Sequence, residues 1–124
     1  MQTRIISRKN VALRAWILYL FTLDVKTKKW YHKLIKSFKC KYTKKLYNAE
    51  FVRQFSSFGK QARKRLLVLD AAEDMKALTM LPSNHLEALG GDREGQYSIR
   101  INMQWRICFK WDDAPYDVEI IDYH

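Results

Sequence analysis

Residues 96–111 read Gln-Tyr-Ser-Ile-Arg-Ile-Asn-Met-Gln-Trp-Arg-Ile-Cys-Phe-Lys-Trp, and the alternation within them decides the architecture. In Gln96 to Ile101 the apolar residues Tyr97, Ile99 and Ile101 fall on one face, with Ser98 and Arg100 on the other. In Gln104 to Trp111 the residues Trp105, Ile107, Phe109 and Trp111 share a face opposite Arg106, Cys108 and Lys110. Such period-two patterning marks two half-buried strands. Both apolar faces reach one core only if odd positions pair with odd, which excludes a two-residue turn and selects the loop Asn102-Met103-Gln104. The resulting register sets Ile101 beside Trp105 and Ile99 beside Ile107. It also sets Arg100 directly across from Arg106 on the second face, an arrangement that is unfavourable for like charges.

Outward from this hairpin the chain reads as a small α+β domain. Downstream, Asp112-Asp113-Ala114-Pro115 is a turn and Tyr116 to His124 a last strand. Upstream, Ala77 to Gly95 holds Pro82, Asn84 and three glycines, and reads as a long connecting loop. From Tyr42 to Ala72 the signals are helical. Leu46, Ala49 and Phe51 form a short apolar face, Ser56-Ser57 can cap a new start, and Phe58, Ala62, Leu66 and Leu69 recur at helical spacing. Two helices are expected, the second longer, with Lys60, Arg63 and Lys64 on its basic outer face. Ile35 to Cys40 is a short first strand. The expected order is β-α-α-β-β-β, with the two helices packed on an antiparallel sheet.

The chain of 124 residues is 48% hydrophobic and 29% charged, which suits one principal core and excludes collagen-like, low-complexity and linker classes. Cys40 and Cys108 lack metal-ligand or redox spacing and read as two small buried hydrophobes of a reducing compartment. No zinc or Mg²⁺ ligand pattern occurs, so no cofactor is implied. The net charge of +10 is uneven. Residues 1–34 carry eight Lys/Arg and one Asp; Lys36 to Arg65 carries ten basic residues and one acidic; Leu66 to His124 carries five against eleven. One basic surface is therefore expected from the helical segment, suited to a polyanion or simply solvated.

Residues 1–34 stand apart as a basic and apolar extension. Val11 to Leu23 has a single charge, yet Arg14 interrupts it, no small-residue cleavage pattern follows, and it is too short to span a bilayer. A leader or misplaced start is the first reading; an appended helix and a membrane-targeting segment are the alternatives. The domain proper is expected over residues 35–124, and no membrane association is expected of it. The arginine pair Arg100 and Arg106 has two readings. The side chains diverge or meet acids such as Asp92, Glu94 or Glu119, or their guanidinium forks await an anion such as phosphate.

The run Asn84-His85-Leu86-Glu87-Ala88-Leu89-Gly90-Gly91-Asp92-Arg93-Glu94-Gly95, continuing through Ser98-Ile99-Arg100-Ile101-Asn102 and Gln104-Trp105-Arg106-Ile107 to the terminal Asp122-Tyr123-His124, resembles the HigB-type toxins of the RelE/ParE superfamily of toxin-antitoxin systems. The resemblance covers residues 34–124. Family members typically begin Met-Ile-Lys-Ser-Phe, and Leu34-Ile35-Lys36-Ser37-Phe38 stands at that place, which points to Leu34 as the initiator. The resemblance implies a RelE-like fold and a cytoplasmic, ribosome-dependent mRNA endonuclease without cofactor. A HigA-type helix-turn-helix antitoxin would neutralise it, and its other partners would be the ribosome and mRNA. Arg100 and Arg106 would stabilise the phosphate, while Asp122, Tyr123 and His124 would supply acid, base or stacking functions, their division left open. Lys60, Arg63, Lys64 and Arg93 would contact RNA or the ribosome, although Arg93 is equally suited to pinning its loop by a salt bridge. Some members carry a catalytic lysine before the Gly-Asp-Arg-x-Gly sequence, where this chain has Gly90. That departure implies weakened cleavage. His32 lies in the extension and His85 in the loop without an evident partner, so neither is drawn into the site. Two other functions remain open: a ParE-like inhibitor of DNA gyrase that needs no catalytic side chains, and a plain RNA-binding module.

Overall fold

A computed structural model describes residues 34–123. The expectations for residues 1–33, the leader that would precede an initiating Leu34 among them, and for His124 lie outside the described residues. The elements are helices α1 (Lys41–Tyr47), α2 (Gly59–Ala71) and α3 (Met75–Thr79), then strands β1 (Glu87–Ala88), β2 (Tyr97–Arg100), β3 (Trp105–Trp111) and β4 (Pro115–Asp122). Single 3₁₀ turns lie at Arg53–Phe55, Pro82–Asn84 and Gly91–Arg93. The four strands form one antiparallel sheet in chain order.

The hairpin has the register that alternation demands: Ile99 pairs with Ile107 and Arg100 with Arg106. Its loop is closed by Asn102, whose Oδ1 accepts from the main-chain N–H groups of Gln104 and Trp105, both at 2.8 Å, a local side-chain turn of the kind asparagine favours. Ile99, Ile101, Ile107 and Phe109 meet Val118 and Ile120 on one face of the sheet, and Leu46, Phe58, Ala62, Leu66 and Leu69 cover them from the helices. Trp105 anchors the hairpin end of this layer. Phe58 stacks on it with centroids 4.7 Å apart, and Phe55 meets it edge-on at 6.0 Å.

Several expectations give way to the structure. The first strand is reduced to one bridge, Phe38 with Val118, and it is parallel. Hydrogen bonds from Lys36 N to Pro115 O and from Lys39 N to Val118 O flank it. Pairing stops there because α1 begins at Lys41 on one side, while β4 bulges on the other: Cys108 pairs with Glu119 but Lys110 with Tyr116, and Asp117 takes a left-handed φ of 51°. Helix α1 ends at Tyr47, before the expected apolar face is complete. Ala49 turns left-handed and Phe51 is 79% exposed. Ser56 and Ser57 do not cap α2; Phe58 holds that place without a side-chain cap. The expected long loop contains α3, capped by Asp74 Oδ1 on Ala77 N at 2.9 Å, and the edge strand β1. Cys108 is buried as expected, whereas Cys40 is half-exposed. Burial pushes the Cys108 thiol up to about 11.

Candidate functional site

Alternation that sends Ile99 and Ile107 to the core sends Ser98, Arg100, Arg106 and Cys108 to the other face. That face is not simply solvated, since Ser98, Arg106 and Cys108 are all buried. Strand β1 and the turn before it wall it on one side and β4 on the other. Across the sheet one row runs Glu87, Ser98, Cys108, Glu119, and the next Arg100, Arg106, Ile121. Tyr123 follows two residues beyond Ile121, its N–H bonded to Gln104 O at 2.7 Å, so it continues on the arginine face.

The two arginines are unlike. Arg106 is only 5% exposed. Its Nε donates to Ser98 Oγ at 2.7 Å, and its Nη2 to the main-chain oxygen of His85 at 2.5 Å and that of Ser98 at 3.4 Å. The Tyr123 ring lies against its guanidinium at 5.2 Å, a cation–π contact. Arg100 is half-exposed and approaches His85 Nε2 at 3.4 Å. A guanidinium only donates, so that contact uses an imidazole with its lone pair on Nε2. Among the described residues neither arginine forms an ion pair with a carboxylate. The acids named as alternatives do not serve them: Glu119 instead pairs with Arg93 at 3.1 Å and Lys39 at 3.9 Å. Two neighbouring positive charges without an acid between them are unfavourable in a sheet, and hydrogen-bond acceptors and an aromatic face stabilise them here.

The structure thus brings Arg100, Arg106 and Tyr123 together and adds two residues that sequence reading left out. His85 stands in a left-handed turn with φ 46°, giving its carbonyl to Arg106 and its ring to Arg100. Glu87 accepts a hydrogen bond from the Tyr123 hydroxyl at 3.4 Å. Asp122 is not brought to this face. It shares the alternation of Val118 and Ile120, pairs with Trp105, and accepts from Gln104 Nε2 at 3.0 Å. Arg93 is bonded to Gln96 Oε1 at 2.9 Å as well as to Glu119, which makes it a strut of its loop. Lys60 and Lys64 are exposed on α2 in the opposite layer, while Arg63 is half-buried with its Nε donating to Tyr47 O at 3.3 Å. Because Phe58 stacks on Trp105, the first turn of α2 lies at the hairpin end of the sheet, where the arginines are. No sequence pattern announces His85 or Glu87, since a two-residue strand and a non-glycine left-handed turn carry no periodic signal.

Two guanidinium groups, a carboxylate, an imidazole and a phenol on one face can hold a phosphate and move a proton beside it. Among the described residues no group of three metal-ligating side chains occurs, and no helix is long and apolar enough to cross a membrane.

Over 51 residues the chain is 41% identical to Toxin HigB-1 of Vibrio cholerae serotype O1, covering 41% of this chain and 54% of that protein, so the match spans about half the length of this relative. It is 32% identical over 69 residues to an uncharacterized protein of Haemophilus influenzae, covering 56% of this chain and 68% of the relative. The family model described as "RelE-like toxin of type II toxin-antitoxin system HigB" matches residues 36–124. That span takes in both arginines, the turn at His85 and Tyr123, and the chain belongs to the HigB-like family of RelE-like toxins.

Proposed function

We propose that this protein is the growth-inhibiting toxin of a type II toxin-antitoxin system and that it cleaves mRNA on the ribosome, in the cytoplasm, until a HigA-type helix-turn-helix antitoxin neutralises it. The observation that carries this reading is the arginine pair: Arg100 and Arg106, paired across the strands without a carboxylate partner among the described residues, beside Tyr123, Glu87 and His85. RNA supplies its own nucleophile. The 2′-oxygen attacks the adjacent phosphorus, the bond to the 5′-oxygen breaks, and a 2′,3′-cyclic phosphate and a 5′-hydroxyl result. Arg100, the more accessible arginine, grips the phosphate, and Arg106 adds positive charge from beneath it. Glu87 takes the proton from the 2′-hydroxyl, and His124, next to Tyr123 in sequence, returns one to the departing 5′-oxygen. Tyr123 offers its ring to a neighbouring base. Asp122 orients the C-terminal segment through Gln104 and is not the base. Lys60 and Lys64, with Arg63 partly engaged in the fold, grip ribosomal RNA. Arg93 serves its loop.

The test is induction of the full chain in cells, with mRNA 5′ ends mapped by primer extension. Translation-dependent cuts should appear with wild type and vanish with Arg100→Ala or with His124 deleted. Growth arrest with intact mRNA and broken DNA would instead establish a gyrase inhibitor, and no arrest at all would mark a weakened toxin, the outcome to which Gly90 points by standing where some members of the family carry a lysine.

A further inference from the structure

Arg106 is held by a main-chain oxygen in a turn, and that turn has its own holder on the other side. Asn84 is fully buried. Its Oδ1 accepts from Arg65 Nη1 at 2.6 Å, and its Nδ2 donates to Leu78 O at 2.9 Å. Arg65 reaches from α2 and gives its second fork nitrogen to Ser83 Oγ at 3.2 Å. Both arms of the planar fork therefore grip consecutive residues of the 3₁₀ turn Pro82–Asn84, a geometry that lysine cannot reproduce. Burial lowers the Arg65 pKa from the ordinary guanidinium value. The next residue, His85, is left-handed with φ 46° and ψ 56°. Residues other than glycine stay in that region only where their surroundings hold them. The turn closes with Asn84 N on Leu81 O and His85 N on Pro82 O, and the His85 carbonyl then faces Arg106.

We propose that Arg65 and Asn84 are positioning residues that set the Arg106 guanidinium through the main-chain carbonyl of His85. The chain of contacts runs from helix α2 through Asn84 and the left-handed turn to the buried arginine, so a residue remote from the phosphate governs how the phosphate is met. The effect on catalysis rests on the proposed RNA cleavage; the effect on Arg106 itself does not.

The Arg106 Nε–H signal in ¹H–¹⁵N spectra of the full chain reads this directly. That proton is buried and bonded to Ser98, so it exchanges slowly with water. In Arg65→Gln its exchange rises by about tenfold or more, the scale of one lost charge-assisted hydrogen bond, while thermal unfolding remains cooperative. Lys64→Gln removes the same charge one residue away and leaves the Arg106 exchange at the wild-type rate. Unchanged exchange in folded Arg65→Gln, or an equal rise in Lys64→Gln, overturns the proposal. Should Arg65→Gln fail to fold, Arg65→Lys keeps the charge but loses the fork, and exchange there rises about threefold or more; a wild-type rate overturns the proposal. On programmed ribosomes Arg65→Gln lowers the single-turnover cleavage rate at saturation by about tenfold; a loss confined to half-saturation overturns the catalytic part. If wild type cleaves nothing and the Arg106 exchange still responds to Arg65→Gln, the positioning stands and the cleavage reading falls.

Discussion

Replacing Arg106 with methionine keeps an unbranched apolar stem and removes the guanidinium with its charge, which separates an arginine kept for chemistry from one kept for the fold. The main losses are the charge-assisted hydrogen bonds to Ser98 Oγ at 2.7 Å and His85 O at 2.5 Å, at about 1.5–3 kcal/mol each, beside the longer one to Ser98 O at 3.4 Å. The Tyr123 contact at 5.2 Å adds about 0.5–1 kcal/mol. Against this, a charge that is 5% exposed no longer has to be desolvated, a penalty of several kcal/mol. Repulsion from Arg100 also disappears. For two unit charges within roughly 6–8 Å at an effective dielectric of about 20, such repulsion is about 2–3 kcal/mol. Gains and losses nearly cancel, so Arg106→Met should stay within roughly 2 kcal/mol of wild type in urea unfolding while cleavage falls by about 10²–10³, the usual cost of one removed transition-state donor. A variant destabilised by more than about 4 kcal/mol, on the scale of breaking a buried network, would show that Arg106 is a structural keystone. Undiminished mRNA cleavage would refute the assignment outright.

Three further outcomes follow from the same geometry. Trp105→Ala removes the ring that Phe58 and Phe55 pack against, and should cost about 3 kcal/mol, read as a fall in Tm of roughly 10 °C or more. Gly90→Lys should fold normally, because Gly90 has an extended backbone at φ −123° and a Cβ there meets nothing within 4 Å; if an ammonium at this place assists the proposed cleavage, the rate on the ribosome rises at least about tenfold. Asp112 is held well below the ordinary carboxylate range by the N–H of Asp113 and then by the Lys36 ammonium. Its stabilising contribution is present above about pH 4 and lost as the pH falls towards the depressed folded value. Asp112→Asn should therefore flatten the acid limb of stability in a series of melts from pH 5 downwards, and an unchanged slope would count against the pairing.

Much of this site was readable from alternation. Tyr97, Ile99 and Ile101 against Trp105, Ile107 and Phe109 dictate a loop length, the loop dictates a register, and the register dictates that Arg100 faces Arg106. The same rule applied to the last strand sets Asp122 in alternation with the core residues Val118 and Ile120 and sets Tyr123 on the arginine side. Burial of the arginine face was not readable. It depends on the turn at Asn84 and the two-residue strand at Glu87, which form through tertiary contacts with Arg65, Leu78 and Ser98 and leave no periodic trace. The first strand failed for a related reason: its partner is decided by a bulge at Asp117 that only β4's two competing neighbours require.

The parallel bridge between Phe38 and Val118 joins residues 80 apart in sequence, and the ring that covers Arg106 arrives later still, at Tyr123. Contacts of such separation form late in folding. During synthesis, helices α1 and α2 and the β2–β3 hairpin leave the ribosome before the strand they need on their flank exists. A nascent chain therefore carries both arginines without the finished face around them until the final strand has been released.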